Sequence, residues 1–247
     1  MGPLYGGYHP KGRLAEDAEP DARLRYRKGN AVNRRNEKQG GIIFDLDGTL
    51  WDSCRSVAES WHLTLTRRFG IKEAPSLSEI QSIMGMTASE IARALFTGIG
   101  EDPAYIFEVC GKEECDYLST HGGIVYPGVE EMLQALSRRH PLFLVSNCQN
   151  GYIESFFRFT GFQQYFTDYE CEGRSQKPKA ENIRDIITRH QLAAPVYIGD
   201  TKMDEASAKL AGCPFIHAAY GFGSAKEPLA TIKTPLELVR ALNQESN

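Results

Sequence analysis

Ile42-Ile43-Phe44-Asp45-Leu46-Asp47-Gly48-Thr49-Leu50 is the stretch whose reading decides the fold. A short apolar run suited to a buried strand ends in two carboxylates spaced i, i+2, followed by Gly-Thr. A carboxylate at a buried strand end is costly, and two close together repel unless a cation or a proton offsets them. An ordinary Asp-Gly turn after a strand produces the same letters. The stretch gains meaning from three others downstream: Ser146-Asn147, Lys177-Pro178 and Gly199-Asp200-x-x-x-Asp204.

Between the first of these and the rest lies a segment that reads as helices only. Ser53 is placed to cap a helix running to Phe69 and stopped by Gly70. Ser76-x-x-Glu79 and Thr87-x-x-Glu90 fit the capping box, and Asp102-Pro103 is an N-cap followed by Pro at the first helical position. Beyond Gly123 the pattern alternates. Apolar runs at Leu142–Val145, Val196–Ile198 and Phe215–Ala218 are separated by helical periods at 129–139, 152–159, 180–190, 203–210 and 236–242. Strands alternating with helices imply a mostly parallel sheet covered on both faces. The predicted organisation is an α/β core made of residues 41–52 and 123–247, with residues 53–122 as a small helical domain inserted after the first strand. The crossings at Asp52–Ser53 and Gly122–Gly123 are the expected hinges. Such an insertion sits beside the C-terminal strand ends, where parallel sheets bind ligands.

Composition narrows the function classes. At 247 residues, 41% hydrophobic and 24% charged, the chain reads as a globular protein with net charge −4, which gives no general basic field for nucleic acid. No uninterrupted apolar stretch approaches the roughly 20 residues of a membrane span. No signal-peptide core is present near the start, so a cytoplasmic location is expected. The six cysteines have no zinc-ligand spacing and read as free thiols. Residues 1–40 differ from the rest, with nine Lys/Arg against five Asp/Glu and no Ser or Thr. They read as a disordered basic tail, with a true start nearer Val32 as the alternative origin.

Three of the four sequence elements fall at strand C-termini, so a parallel sheet brings them to one edge. They supply carboxylates for a hard divalent cation, a hydroxyl and amides for an oxyanion, and one ammonium. Taken in order, the set resembles the haloacid dehalogenase superfamily, in the helical-cap branch that holds phosphoglycolate phosphatases and β-phosphoglucomutase-like enzymes. The resemblance covers about Gly41 to Ala219.

What it implies is a Rossmann-like parallel-sheet core and Mg²⁺-dependent hydrolysis of a small phosphate monoester, phosphoglycolate-like or a sugar phosphate, through an aspartyl-phosphate. Asp45 is then the nucleophile and Asp47 the acid and base. Asp45, the Asp47 carbonyl and Asp200 hold Mg²⁺, with Asp204 in support. Ser146, Asn147 and Lys177 hold the phosphoryl oxygens, with Lys179 as the second choice for the lysine. Gly48 and Thr49 support the turn. The partner is a small phosphorylated metabolite, neither nucleic acid nor membrane, and the protein a monomer or weak homodimer.

The acid–base Asp47 separates this chain from dehalogenases and phosphonate-cleaving relatives, which lack it. Alternatives are a sugar phosphomutase or a noncatalytic phosphate-binding module. The mutase is disfavoured because Val57, Met84 and Ala88 stand where, by the resemblance, it carries cationic groups. If Met84 and Met86 face the site, a small or weakly polar leaving group fits better than a second anion. Arg55 is the nearby cation able to read a carboxylate, although a solvated arginine is the plainer reading. Trp51 and Trp61 read as packing residues. Tyr220-Gly221-Phe222-Gly223 resembles a loop that closes over the site in relatives.

Overall fold

A computed structural model describes residues 40–244, so the expectations for residues 1–39 lie outside it. The strand read from Ile42-Ile43-Phe44 is β1 (Ile42–Phe44). It is flanked by β4 (Leu142–Ser146) and β6 (Val196–Gly199), both parallel to it and in register Ile42↔Leu142 and Ile42↔Val196. With β5 (Asp168–Cys171), β7 (Phe215–Ala218) and β8 (Ala230–Ile232) they form one parallel six-stranded sheet in the order β5-β4-β1-β6-β7-β8. The chain leaves β1 for one side of the sheet and later returns to the other, so β1 lies at the switch point where such sheets bind ligands.

Alternation along β1 explains why both faces are covered. Ile42 and Phe44 are buried with Leu142, Leu144, Ile198 and Ile216 on one face. Ile43 is buried with Phe143, Val145 and Tyr197 on the other. The first face is covered by α5 (Val129–Ser137), α6 (Tyr152–Thr160) and α10 (Pro235–Gln244), and the second by α8 (Lys179–Arg189) and α9 (Lys202–Ala211). A short α7 (Glu172–Ser175) follows β5.

The helical segment lies between two two-residue strands, β2 (Trp51–Asp52) and β3 (Ile124–Val125), which pair antiparallel. It comprises α1 (Cys54–Thr64), continued by a π-helical turn Leu65–Phe69, then α2 (Leu77–Ile83), α3 (Ala88–Phe96) and α4 (Pro103–His121). Gly70 ends the first with a left-handed conformation at φ 68°. Ser76 and Thr87 form complete capping boxes, and Asp102 accepts from Ala104 N. Ser53 occupies the N-cap of α1 but makes no capping bond, because its hydroxyl is used elsewhere. At the second crossing Gly122 has φ 63°, and a Cβ there would lie 2.1 Å from the Phe159 ring. The apolar core is continuous from the sheet face into these helices, through Trp51, Val57, Trp61, Phe96, Ile106 and Leu118.

Candidate active site

The switch point collects the chemistry. Asp45 follows β1 and extends its ladder, donating from its amide to the Ile198 carbonyl at 2.8 Å. Ser146 ends β4, and Asp200 follows β6. Gly48 has φ 79° and must be glycine, because a Cβ would lie 2.2 Å from Asp200 Oδ2. Gly221 is held as closely against the Gly48 carbonyl, and the Phe222 amide donates to Asp200 Oδ2 at 2.7 Å. The Tyr220–Gly223 loop therefore locks Asp200 as well as lying over the turn.

Asp45, Asp200 and Asp204 bring carboxylate oxygens within 4.8 Å of one another, and all three are buried. The compensating ammonium is Lys179. Its Nζ donates to Asp45 Oδ1 at 3.0 Å and to Asp204 Oδ1 at 2.7 Å, with 3% of the residue exposed. Here the structure corrects the expectation for Lys177, whose exposed ammonium pairs with Asp185 at 2.5 Å. Pro178 caps α8 and Lys179 is its first residue, so the helix start turns Lys179 inward and leaves Lys177 outside. Burial, then the neighbouring Asp204, push the Asp45 carboxyl well above the ordinary range, against the pull of Lys179. Burial also raises Asp204, but the ammonium and the Thr201 donors overcome it and hold that group low. Asp204 Oδ2 accepts from the Thr201 amide and hydroxyl at 3.0 and 2.6 Å, so both of its oxygens are engaged.

Asp47 has a different environment. Trp51 Nε1, Ser53 Oγ and Tyr152 Oη all donate to the same oxygen, Oδ1, at 2.9, 2.7 and 2.8 Å. Oδ2 takes none of the three bonds, and Asp47 lines the cavity. Burial raises its carboxyl to about 6 against the lowering effect of the three donors. Neither Trp51, Ser53 nor Tyr152 is expected from sequence as a site residue; Trp51 reads as packing and Ser53 as a helix cap.

The cavity above these carboxylates is closed by the turn between α2 and α3. Ser146, Asn147, Cys148 and Gln149 form one wall, and Val57, Trp61, Ile83, Met84, Met86, Ile91 and Phe107 the apolar remainder. Asn147 Nδ2 donates to the Gly85 carbonyl at 2.9 Å, tying core to turn. Thr49 is buried outside this lining, its carbonyl accepting from Tyr220 Oη at 3.0 Å. Arg55 is exposed and outside it too. His217 lies beneath, its Nε2 3.1 Å from the Asp200 carbonyl. A further residue unforeseen from sequence is Glu114 of α4, 3% exposed, whose Oε2 accepts from Trp61 Nε1 at 2.5 Å. Burial raises it to about 8, and Trp61 and Gln149 lower it only in part.

The donor set suits a hard divalent cation. Asp200 Oδ1 is buried without a hydrogen-bond partner, and three carboxylates against one ammonium leave negative charge over. Because Asp204 is fully engaged, the carboxylates with oxygen to spare are Asp45 and Asp200. Burial, then Asp204, raise the latter to about 7, a cost that a bound cation would offset.

Two outcomes follow from these contacts. Lys179→Met leaves Asp45 and Asp204 buried without their cation and should cost about 3–5 kcal/mol, read by urea unfolding, together with turnover; Lys177→Ala should leave both as in wild type. For Glu114, both states bind the proton below its ordinary pKa, so its contribution is intact there. Above that the unfolded chain ionises while the folded chain does not. Stability should therefore fall by up to about 1.4 kcal/mol per pH unit toward about pH 8. Thermal melts across that interval should show a flatter profile in Glu114→Gln.

Comparison with known proteins gives the family and the fold. The family model described as haloacid dehalogenase-like hydrolase matches residues 42–218. A phosphoglycolate phosphatase from Rhodobacter capsulatus is 32% identical over 201 residues, covering 76% of this chain and 87% of its own. A 5'-nucleotidase from Pseudomonas aeruginosa is 29% identical over 194 residues, covering 75% and 85%. A haloacid dehalogenase-like family protein of Streptococcus pneumoniae shares the fold with TM-score 0.70 at 22% identity, over 83% of this chain and 99% of that one. With most of its length matched, including every strand from β1 to β7, the chain belongs to the haloacid dehalogenase-like hydrolases.

Proposed function

We propose that this hydrolase is a Mg²⁺-dependent phosphatase acting on a small phosphate monoester. The observation that carries the reading is the contrast between its two carboxylates. Asp45 lies against Lys179 in the buried cluster, while Asp47 is held on one oxygen by three donors and presents the other to the cavity. Asp45 attacks phosphorus and becomes the aspartyl-phosphate, with its charge and that of the phosphoryl oxygens offset by Lys179. Ser146 and the Asn147 amide lie at the same strand end to take the remaining oxygens. Asp47 gives a proton to the departing alkoxide and then takes one from water, and a carboxyl near 6 suits both tasks. The fixed Oδ1 leaves Oδ2 as the atom that carries that proton.

Asp45, Asp200 and the Asp47 carbonyl would hold Mg²⁺, which when bound supplies positive charge to the transferring phosphoryl group. Asp204 supports this arrangement by holding Lys179 and the start of α9. Helices α1–α4 act as a cap that reads the leaving group. Water as the final acceptor, rather than a second sugar phosphate, is favoured because Val57, Met84 and Met86 line the cavity without a cation beside them. A purely binding module would have no use for the three donors gathered on Asp47. The names of relatives, phosphoglycolate phosphatase and 5'-nucleotidase, support phosphate-ester hydrolysis without choosing the ester.

Asp45→Asn, which keeps one acceptor for Lys179, should fold normally and release no phosphate from p-nitrophenyl phosphate in Mg²⁺. Activity of the native enzyme should vanish in chelator, return with Mg²⁺, and return poorly with Ca²⁺, whose longer and more numerous ligands displace the attacking oxygen. Turnover by Asp45→Asn near the wild-type rate would remove Asp45 as nucleophile. Full activity after verified metal removal would remove the cation.

A further inference from the structure

The cavity that would receive the leaving group is small and has an unusual charge. Its volume is about 60 Å³ with the helices seated over it, and because Asp45, Ser146 and Asn147 line it too, the phosphoryl group and the leaving group share that space. No Lys or Arg is among the residues that line it. Beyond Asp45 and Asp47, its one ionisable carboxyl is Glu114, set on the far wall from the strand ends. Two aromatic side chains of the helices, Trp61 and Phe107, line the same wall with rings 6.0 Å apart and nearly perpendicular.

A structural tie between α1 and α4 accounts for one bond, from Trp61 Nε1 to Glu114 Oε2. It does not account for a carboxyl in that place. An ionised carboxyl accepts about four hydrogen bonds, and Trp61 and Gln149 supply two. Buried with no cation at hand, the group is held largely protonated near neutral pH. The neighbours that face it are Trp61 of α1, Gln149 beyond β4, Asp47 at the strand end, Tyr152 of α6, and Cys110 and Cys115 of its own helix. None of these is a cation. An incoming ammonium would supply one, take the spare acceptor positions, and meet aromatic faces that attract it. A carboxylate or a second phosphate would find no Lys or Arg to pair with and a largely apolar wall.

We infer that the leaving group carries a primary ammonium, and that Glu114 is the residue that selects it. This rests on the phosphatase reading and narrows it, against the phosphoglycolate suggested by relatives' names. Hydrolysis keeps its balance: Asp45 bonds to phosphorus as the phosphorus–oxygen ester bond breaks, the alkoxide takes the Asp47 proton, Glu114 gives its own proton to solvent when the ammonium pairs with it, and a neutral-hydroxyl amino alcohol leaves with its ammonium intact.

Three two-carbon esters test it: 2-aminoethyl phosphate, 2-hydroxyethyl phosphate and 2-phosphoglycolate, assayed with Mg²⁺ beside p-nitrophenyl phosphate. kcat/KM should be highest for the amine and at least a hundredfold lower for the carboxylate. Glu114→Gln should shrink the amine-to-carboxylate ratio at least tenfold, whereas Glu113→Gln, whose side chain instead pairs with Arg68, should leave that ratio as in wild type. If Glu114→Gln does not fold, inhibition of the wild-type enzyme by 2-aminoethylphosphonate against phosphonoacetate decides the matter, the amine binding tighter. The inference is overturned if the hydroxyl or carboxylate ester is the better substrate, or if Glu114→Gln folds and keeps the wild-type ratio. It is also overturned if phosphonoacetate binds as well as the amine, or if p-nitrophenyl phosphate is hydrolysed and none of the three is. Failure to hydrolyse any ester would instead bring down the phosphatase reading, and this inference with it.

Discussion

Everything at the strand ends depends on one buried ammonium. Lys179 bridges Asp45 and Asp204, and the three carboxylates packed there could not share that volume without it. Each ion costs several kcal/mol to bury, and mutual attraction repays this only with good geometry and the remaining lone pairs satisfied. Asp204 meets both conditions, taking Lys179 on one oxygen and Thr201 on the other. Asp45 and Asp200 do not, and the residual strain is confined to those two. Stability has thus been given up where a cation and a phosphoryl group would restore it, the pattern expected of a functional site rather than a structural ion pair.

The same edge joins sheet to helices through a second polar group. Trp51 lies on the crossing strand, Ser53 starts α1, and Tyr152 starts α6, yet all three converge on Asp47 Oδ1. Tyr152 Oη also lies 2.8 Å from Ser53 Oγ, and its ring meets Trp51 edge-on at 6.0 Å between centroids. Because these partners belong to three elements, the orientation of Asp47 reports on how the helices are seated. A buried network with this much satisfaction has little freedom, which suits a carboxyl that must present a single oxygen.

The parallel sheet, its central strand and the capping boxes at Ser76 and Thr87 were legible because each rests on local pattern: apolar runs, turn residues, and side chains three apart. Strands β5 and β8 were not, for they are the sheet's edges and read Asp-Tyr-Glu-Cys and Ala-Thr-Ile, without a sustained apolar run. The four motif segments gave the carboxylates and Ser146. They could not choose between two lysines flanking Pro178, since that choice depends on where α8 begins and which side of it is buried. Glu114 follows Lys112 and Glu113 in a run that reads as a solvated helix face, and Tyr152 stands 105 residues from Asp47. Contacts over such separations leave no trace in spacing. Ser53 shows a local reading overruled: a residue fit to cap α1 leaves the capping bond unmade and serves Asp47 instead.

How the cavity opens follows from how unequally it is sealed. Helix α4 shares a buried core with α6, where Ile106 and Leu118 are fully enclosed with Ile153 and Phe156, and Gly122 has the Phe159 ring against it. Separating those surfaces exposes several large side chains, each worth about 1.5–3 kcal/mol. The α2–α3 turn is held by far less. Asn147 gives it one side-chain hydrogen bond, and Gly85, at φ 83°, would bring a Cβ to within 3.6 Å of Thr201. A hydrogen bond of that kind contributes about 0.5–1.5 kcal/mol net, and Met84 and Met86 are flexible enough to repack. The part of the seal that costs least to displace is therefore residues 84–87, beyond Ile83, which is buried with the core. Since Asn147 adjoins Ser146, that same displacement frees its side chain, linking access to the cavity with the groups that face the phosphoryl oxygens.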